Sequence, residues 1–201
     1  MDAIILSGLP ASGKSSVSAA LRDALGYPVI EKDRIKECLF DTLGFQSHDE
    51  KRRLDAAASR ILLQTMETLF DAGQSLIADN NFDTAAGEAL DQLLLKYRPR
   101  RVTILLSARE DVLYERYVTR DRAGLRHPGH AQQNHYPPLP GEPAITPIDR
   151  EGFAERYLKR GMGSVTWDSP VIQLDTTVPE SVDLPALVLQ VRSCLDGQTH
   201  N

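Results

Sequence analysis

The stretch Gly8-Leu9-Pro10-Ala11-Ser12-Gly13-Lys14-Ser15 decides how this chain is read. It lies between an apolar run, Ala3-Ile4-Ile5-Leu6, and a segment in which Val17, Ala20, Leu21, Ala24 and Leu25 recur at helical spacing. Strand, glycine-bounded loop and helix in that order make a cradle for nucleotide phosphates. The backbone N–H groups of such a loop, with the N-terminus of the helix after it, point at the β- and γ-phosphates. Glycine is needed where a side chain would block that approach. Lys14 brings a mobile positive charge to the same oxygens, and Ser15 offers a hydroxyl to Mg²⁺. Nucleotide-contacting positions are expected from Gly8 through Ser16. A plain Gly/Ser-rich turn leaves the Lys14-Ser15 pair unexplained.

The rest of the composition narrows the partners. With 201 residues, 41% of them hydrophobic and 25% charged, one compact domain with a real core is expected over 1–201. The net charge of −5 and a pI of about 5.5 supply no overall basic field for a nucleic-acid backbone or an anionic membrane. Cys38 and Cys194 fall in no zinc or C-x-x-C spacing, so reduced thiols are expected, in the cytoplasm. No run reaches the roughly 18 apolar residues of a membrane span, and the N-terminus shows no targeting pattern. Oligomeric state leaves no mark in the sequence.

Further along, strands and helices alternate. Strands are expected at 27–31, 75–79, 102–106 and 171–175. Helices are expected from about Asp33 to a stop at Gly44, from Leu54 to near Gly73, and over Thr84 to Tyr97. Others are expected from Glu110 to about Arg120, around 151–160, and after an N-cap at Asp183. Apolar runs such as Val102-Thr103-Ile104-Leu105-Leu106 suit parallel strands covered on both faces. Between His127 and Pro147 lie six of the twelve prolines, and so long a stretch reads as a lid or binding loop. The expected fold is α/β: a five-stranded parallel sheet sandwiched by helices, with a lid over about 120–160 and ligands at the carboxyl ends of the strands.

Several motifs together carry a resemblance. The phosphate loop, Asp33 after the second strand, the strand-end Asp79-Asn80-Asn81, an Arg-rich helix leading to the lid and Asp175-Thr176-Thr177 after the last strand resemble the small P-loop kinases. The pattern is nearest to the zeta-toxin, chloramphenicol phosphotransferase and polynucleotide 5′-kinase group of the P-loop NTPase fold. Val29 to Glu37 and Arg126-His127-Pro128-Gly129-His130 also resemble bacterial ATP-binding proteins described only as kinases, without a substrate. The resemblance implies ATP and Mg²⁺ as cofactors and a hydroxyl as phosphate acceptor.

Asp33 is the candidate catalytic base, placed to face the γ-phosphate and take a proton from a hydroxyl, with Lys14 and Arg120 as its catalytic companions. Capping of its own helix competes for the same side chain. Asp79 is the candidate metal ligand, acting on Mg²⁺ through a water, beside Ser15. Arg34, Lys36, Asn81 and His127 are candidate acceptor contacts. The group's usual Arg three residues after the Asp is here Lys36, with Arg34 next to Asp33. An Asx-turn is the simpler use of Asn80 or Asn81. Arg116 and Arg120 share a helix face, with Arg122 beyond. The resemblance favours Arg120 as the cation closing over the phosphates with Arg116 in support, against a solvated face paired with Glu115 or Asp121. Thr176 is a candidate neighbour of the adenine, with an ST-turn as the alternative. His127, His130 and His135 lack the companions of a zinc site and are expected to order the lid or meet substrate. Trp167 reads as a packing anchor.

Three functions compete. The first is transfer of the γ-phosphate of ATP to a hydroxyl of a small molecule. The second is a polynucleotide 5′-hydroxyl kinase, suggested by Arg98, Arg100 and Arg101 and opposed by the acidic charge. The third is a non-catalytic ATP-dependent switch, which has no need of Asp33.

Overall fold

A computed structural model describes residues 1–82, 84–131, 134–142, 147–159 and 168–198. Five parallel strands, β1 (Asp2–Gly8), β2 (Val29–Glu31), β3 (Leu76–Asp79), β4 (Arg100–Ser107) and β5 (Val171–Asp175), lie in the order β2-β3-β1-β4-β5. Helices α1 (Lys14–Leu25), α2 (Lys32–Leu43), α3 (His48–Asp71), α4 (Thr84–Tyr97), α5 (Glu110–Arg122), α6 (Arg150–Phe153) and α7 (Leu184–Asp196) connect and cover them. Every residue of β1 is buried, as a central strand requires. Its side chains alternate between two cores. Ala3 and Ile5 join Leu62, Met66, Phe70, Leu90 and Leu94 of α3 and α4 on one face. On the other, Ile4 and Leu6 join Val17 and Leu21 of α1 with Leu187, Val191 and Leu195 of α7. Among the described residues, no helix is long and apolar enough to cross a membrane.

Element order and most boundaries agree with the sequence reading. Gly44 ends α2 with φ 63°, and Asp183 caps α7 by accepting from the Ala186 N–H at 2.9 Å. One helix was read too short. α3 starts at His48 rather than Leu54, because its first turns carry no apolar period and the buried position there is a lysine, Lys51. The signal was a cap: Ser47 Oγ accepts from the Glu50 N–H while the Glu50 carboxylate accepts from the Gln46 N–H. Near 151–160 the helix is α only over Arg150–Phe153 and continues as a π-turn over Ala154–Leu158. Arg160 and Trp167 fall outside the described residues.

The proline-rich segment is pinned along much of its described length. Phe45 and Tyr136 exchange backbone hydrogen bonds at 2.9 and 2.8 Å. Gly129 sits so close to α2 that a Cβ there would lie 2.3 Å from the Phe40 ring. His127 pairs with Asp41 and His130 with Glu37, each at 2.9 Å, and Lys51 Nζ donates to the Ala131 carbonyl at 2.5 Å. Residues 127–131 and 134–136 thus form a wall against α2 and α3.

The phosphate loop is held from below. Thr176, just past β5, is buried, with Oγ1 2.9 Å from the Ser12 carbonyl and 3.0 Å from the Ser107 carbonyl. Arg116 in turn donates to the carbonyls of Thr176 and Thr177 at 2.8 and 3.1 Å. Replacing this hydroxyl leaves the Ser12 carbonyl without its partner, at a cost of about 1–3 kcal/mol. Thr176→Val is therefore expected to lower the midpoint of a thermal melt by several degrees, while Thr176→Ser stays close to wild type.

Candidate functional site

A cleft of about 1410 Å³ opens at the carboxyl ends of the strands, lined by the phosphate loop, Asp33, Asp79, Asn81 and residues of α3 and α5. Strand register builds its floor. β1 lies between β3 and β4 with Leu6 opposite Asp79 and Gly8 opposite Leu106. Gly8 has φ 155°, and a Cβ there would lie 2.5 Å from the Leu106 carbonyl oxygen and 2.9 Å from Ser12 Oγ, so only glycine fits. Gly13, at φ 88°, begins α1 and has no side chain to cap it; a Cβ there would meet nothing within 4 Å. The first N–H groups of α1 therefore open on the cleft, with Ser15 and Ser16 exposed beside them.

Lys14 is folded back over this loop, its Nζ 3.0 Å from the Gly8 carbonyl and 3.2 Å from that of Leu9. Burial holds its pKa below the ordinary lysine value, opposed by the charges of Asp79 and Asp33 and reinforced by Arg120. Asp79 is buried at its strand end, and burial pushes its carboxyl up to about 6; Lys14 pulls it down, while Glu31 and Asp33 add to the rise. Asp33 goes the other way. Desolvation raises it, but His130, Lys36, Lys14 and Arg126 together hold it below the usual carboxylate range. Two nearby carboxylates are thus driven apart, one toward the proton and one away from it.

Asp33 does not cap its helix. The N-cap position of α2 is Glu31 and no side chain bonds there. Among the described residues, no hydrogen bond or ion pair engages the Asp33 carboxylate. Arg120 lines the cleft with its Nε buried and unpartnered, and burial followed by Arg126 lowers its pKa. Ser12 Oγ, Asn80 Nδ2 and Asn81 Oδ1 are also buried without partners, all on residues of the cleft. Such groups suit a ligand or water that completes them. An open helix N-terminus, a cradle closed to any side chain and unpaired donors fit a bound nucleotide; Ser15 and Asp79 are oxygen donors of the kind Mg²⁺ takes.

Some of the sequence candidates lie elsewhere. Arg34 is exposed and 3.7 Å from Glu31, off the cleft wall. His127 is turned to Asp41 and accepts from the Gly129 N–H, and His130 takes the place in the cleft instead. Thr176 lies beneath the loop with its hydroxyl directed at backbone carbonyls, and Arg122 points to solvent. Arg100 pairs with Asp2 at 2.7 Å and Arg101 donates to the Asp168 carbonyl, both at the start of β4. That end of the sheet is a strand length, roughly 20 Å, from the cleft. Lys36, Asn81, Arg116 and Arg120 do line the cleft.

Lys51, Asp55, Arg126 and Arg156, none of them among the sequence candidates for the site, line it as well. A signal existed for the first two: Lys51 and Asp55 stand four apart and continue the buried line of Ala58 and Leu62 along α3, where apolar residues are expected. Arg126 follows α5 and is 2.5 Å from Tyr117 Oη; its motif with His127–His130 carries the resemblance to ATP-binding proteins but assigns it no role.

The chain belongs to the AAA_33 family, an AAA domain, which matches residues 4–136. It is similar along 96% of its length to a protein from Chloroflexus aurantiacus, provisionally described as a kinase, with 32% identity, a TM-score of 0.74 and 97% of that chain covered. A sugar kinase from Janibacter shares the fold at 18% identity and a TM-score of 0.56, over 99% of this chain and 98% of that one. So does Kti12 from Chaetomium thermophilum, determined with ADP-AlF3, at 18% identity and 0.57, over 97% and 96%. No curated protein matches the chain. The protein is a P-loop domain of kinase-like α/β architecture.

Lys51 gives this site a measurable signature. Burial, then Lys36, Arg156 and Arg126, push its pKa down to about 7, with Asp55 opposing. An unfolded lysine keeps its proton to about 10.4. Between those values the unfolded chain binds more protons, so this residue's contribution makes stability rise with pH from about 7 to 10 and stay flat below about 6. Denaturant melts of wild type and Lys51→Met across that range are expected to show wild type gaining relative to the variant only above pH 7. A difference independent of pH would contradict this environment.

Proposed function

We propose that the protein is an ATP-dependent phosphotransferase that moves the γ-phosphoryl group of ATP to a hydroxyl of a small molecule. The carrying observation is that Asp33, its pKa held low and its carboxylate without a side-chain partner among the described residues, shares the cleft and the electrostatic field of the loop lysine. A switch that only orders loops has no use for such a carboxylate. Fold likeness to a sugar kinase and to a protein determined with ADP-AlF3 supports a nucleotide and an acceptor side by side. The likeness in motifs to the zeta-toxin and chloramphenicol phosphotransferase group supports the same reading.

In this proposal Lys14 and the α1 N–H groups hold the phosphates, and Ser15 with Asp79, through water, hold Mg²⁺. The metal supplies charge neutralisation at the phosphate oxygens. Asp33 orients the acceptor hydroxyl and takes its proton on a carboxylate oxygen as the new O–P bond forms and the bond from the γ-phosphorus to the β–γ bridging oxygen breaks, releasing ADP. With its pKa held low, Asp33 is a weak base, and positioning carries most of its effect. Asn81 orients the acceptor. Arg120, short of one partner in the cleft wall, neutralises charge on the moving group, with Arg116 anchored behind it. The single domain over 1–201, with 120–160 facing the acceptor, is part of the same reading.

Transfer of labelled γ-phosphate to a panel of alcohols and sugars tests it. Asp33→Asn is expected to lose about 10²–10⁴-fold in kcat with ATP affinity nearly unchanged. Lys14→Ala is expected to lose ATP affinity itself. Full transferase activity in Asp33→Asn would remove the base.

A further inference from the structure

The cleft extends past Asp33 into a second group of cations. Among the described residues, ten lysine and arginine side chains line the cleft against five carboxylates, in a chain whose net charge is −5. Six of the ten fall into two neighbourhoods. Lys14 has Asp79, Asp33 and Arg120 as its charged neighbours. Lys51 has Lys36, Arg156, Arg126 and Asp55. Asp33 belongs to both, feeling His130, Lys36 and Arg126 from the second group and Lys14 from the first.

The second group is short of counter-charge. Asp55 is already shared between Lys36 at 2.6 Å and Lys32 at 3.1 Å. Arg126 is matched by Asp121 at 3.4 Å. Lys51 and Arg156 have no carboxylate within ion-pair distance among the described residues. Lys51 is only 7% exposed, yet among the described residues its side chain gives one hydrogen bond, to the Ala131 carbonyl, and otherwise faces the rings of Phe45 and Phe40 at 5.3 and 5.9 Å. Arg156 has the Tyr157 ring at 5.7 Å. Ring faces attract a cation without neutralising it. Four separate segments, α2, α3, the residues after α5 and the π-turn, converge to place these charges together. Gathering like charges in a partly desolvated cleft is unfavourable: it drives Lys51 toward losing its proton, and an outside anion would relieve it and restore the charge.

We infer that the phosphate acceptor is itself an anion, a small alcohol bearing a carboxylate or a phosphate ester, its negative group held by Lys51 and Arg156 beside Lys36 and its hydroxyl directed to Asp33. This rests on the phosphotransferase reading. It assigns a chemical class to the acceptor through residues on the side of Asp33 away from the loop.

The test uses the full chain saturated with AMPPNP and Mg²⁺, so that the phosphate loop cannot take the probe. Matched triplets are titrated by calorimetry, each a neutral polyol, its carboxylate and its phosphate monoester: glycerol, glycerate and glycerol 3-phosphate, and the same for five- and six-carbon polyols. At least one anionic member is expected to bind tenfold or more tightly than its neutral parent, and the arm that binds tells carboxylate from phosphate. Lys51→Met and Arg156→Met are each expected to weaken that binding tenfold or more while AMPPNP affinity stays within twofold. Arg156 is only half-buried, so its variant answers even if Lys51→Met folds poorly. Neutral polyols binding as tightly as their acids, anion affinity unchanged in both variants, no binding by any anionic probe, or preference for a 5′-hydroxyl oligonucleotide would each overturn the inference. Failure of wild type to bind AMPPNP would instead remove the kinase reading, and this inference with it.

Discussion

Everything at the working end of this molecule depends on the register of β1 between β3 and β4. Leu6 opposite Asp79 and Gly8 opposite Leu106 bring the mouth of the phosphate loop against the carboxylate of one neighbour and the backbone of the other. The Asn80 N–H bonds to the Leu6 carbonyl at 3.3 Å, so that strand end has little freedom to drift. Gly8 is the point of closest approach, and the loop above it is braced by Thr176. A slip of one residue would exchange the two cores on either face of the sheet as well as separate Asp79 from Lys14.

The charges above this floor work as a set. Among the described residues Lys14 has no carboxylate bonded to it; it stands between the fields of Asp79 and Asp33, with Arg120 opposing. β2 pairs with β3 so that Glu31 falls opposite Asp79, and two acidic strand ends side by side help keep Asp79 near its proton. Asp33, in the first turn of α2, lies in the field of His130 and Arg126 from beyond α5, of Lys36 from α2 and of Lys14. Opposite shifts on two neighbouring carboxylates arise from which elements converge on each, since the side chains are chemically the same.

The wall opposite the loop has its own logic. A proline-rich segment of this length suggests a mobile cover, but Phe40, Phe45, His130 and Tyr136 pack around one another and carboxylates of α2 take the histidines. Residues 127–131 and 134–136 are thereby seated against α2 as a side of the cleft. That seating carries Arg126 and His130 into the field of Asp33, and the Ala131 carbonyl receives Lys51.

What could be read without coordinates was whatever short-range chemistry dictates. Apolar runs gave the strands, helical spacing the covering helices, and the order strand, loop, helix gave the phosphate cradle with Asp33, Asp79, Arg116 and Arg120 near it. The start of α3 was written in its Ser47-x-x-Glu50 cap and was missed only because apolar period was the guide. Which histidine enters the cleft, that Thr176 braces the loop from beneath, that Arg100 and Arg101 lie at the far end of the sheet, and that Lys51, Arg126 and Arg156 form a second cationic group were decided by tertiary structure alone. The reason is physical: a charge takes its role from neighbours that may be 30 or 100 positions away along the chain, as Lys51 and Arg156 are. Local sequence specifies the elements, and only their packing decides which side chains face one another across the cleft.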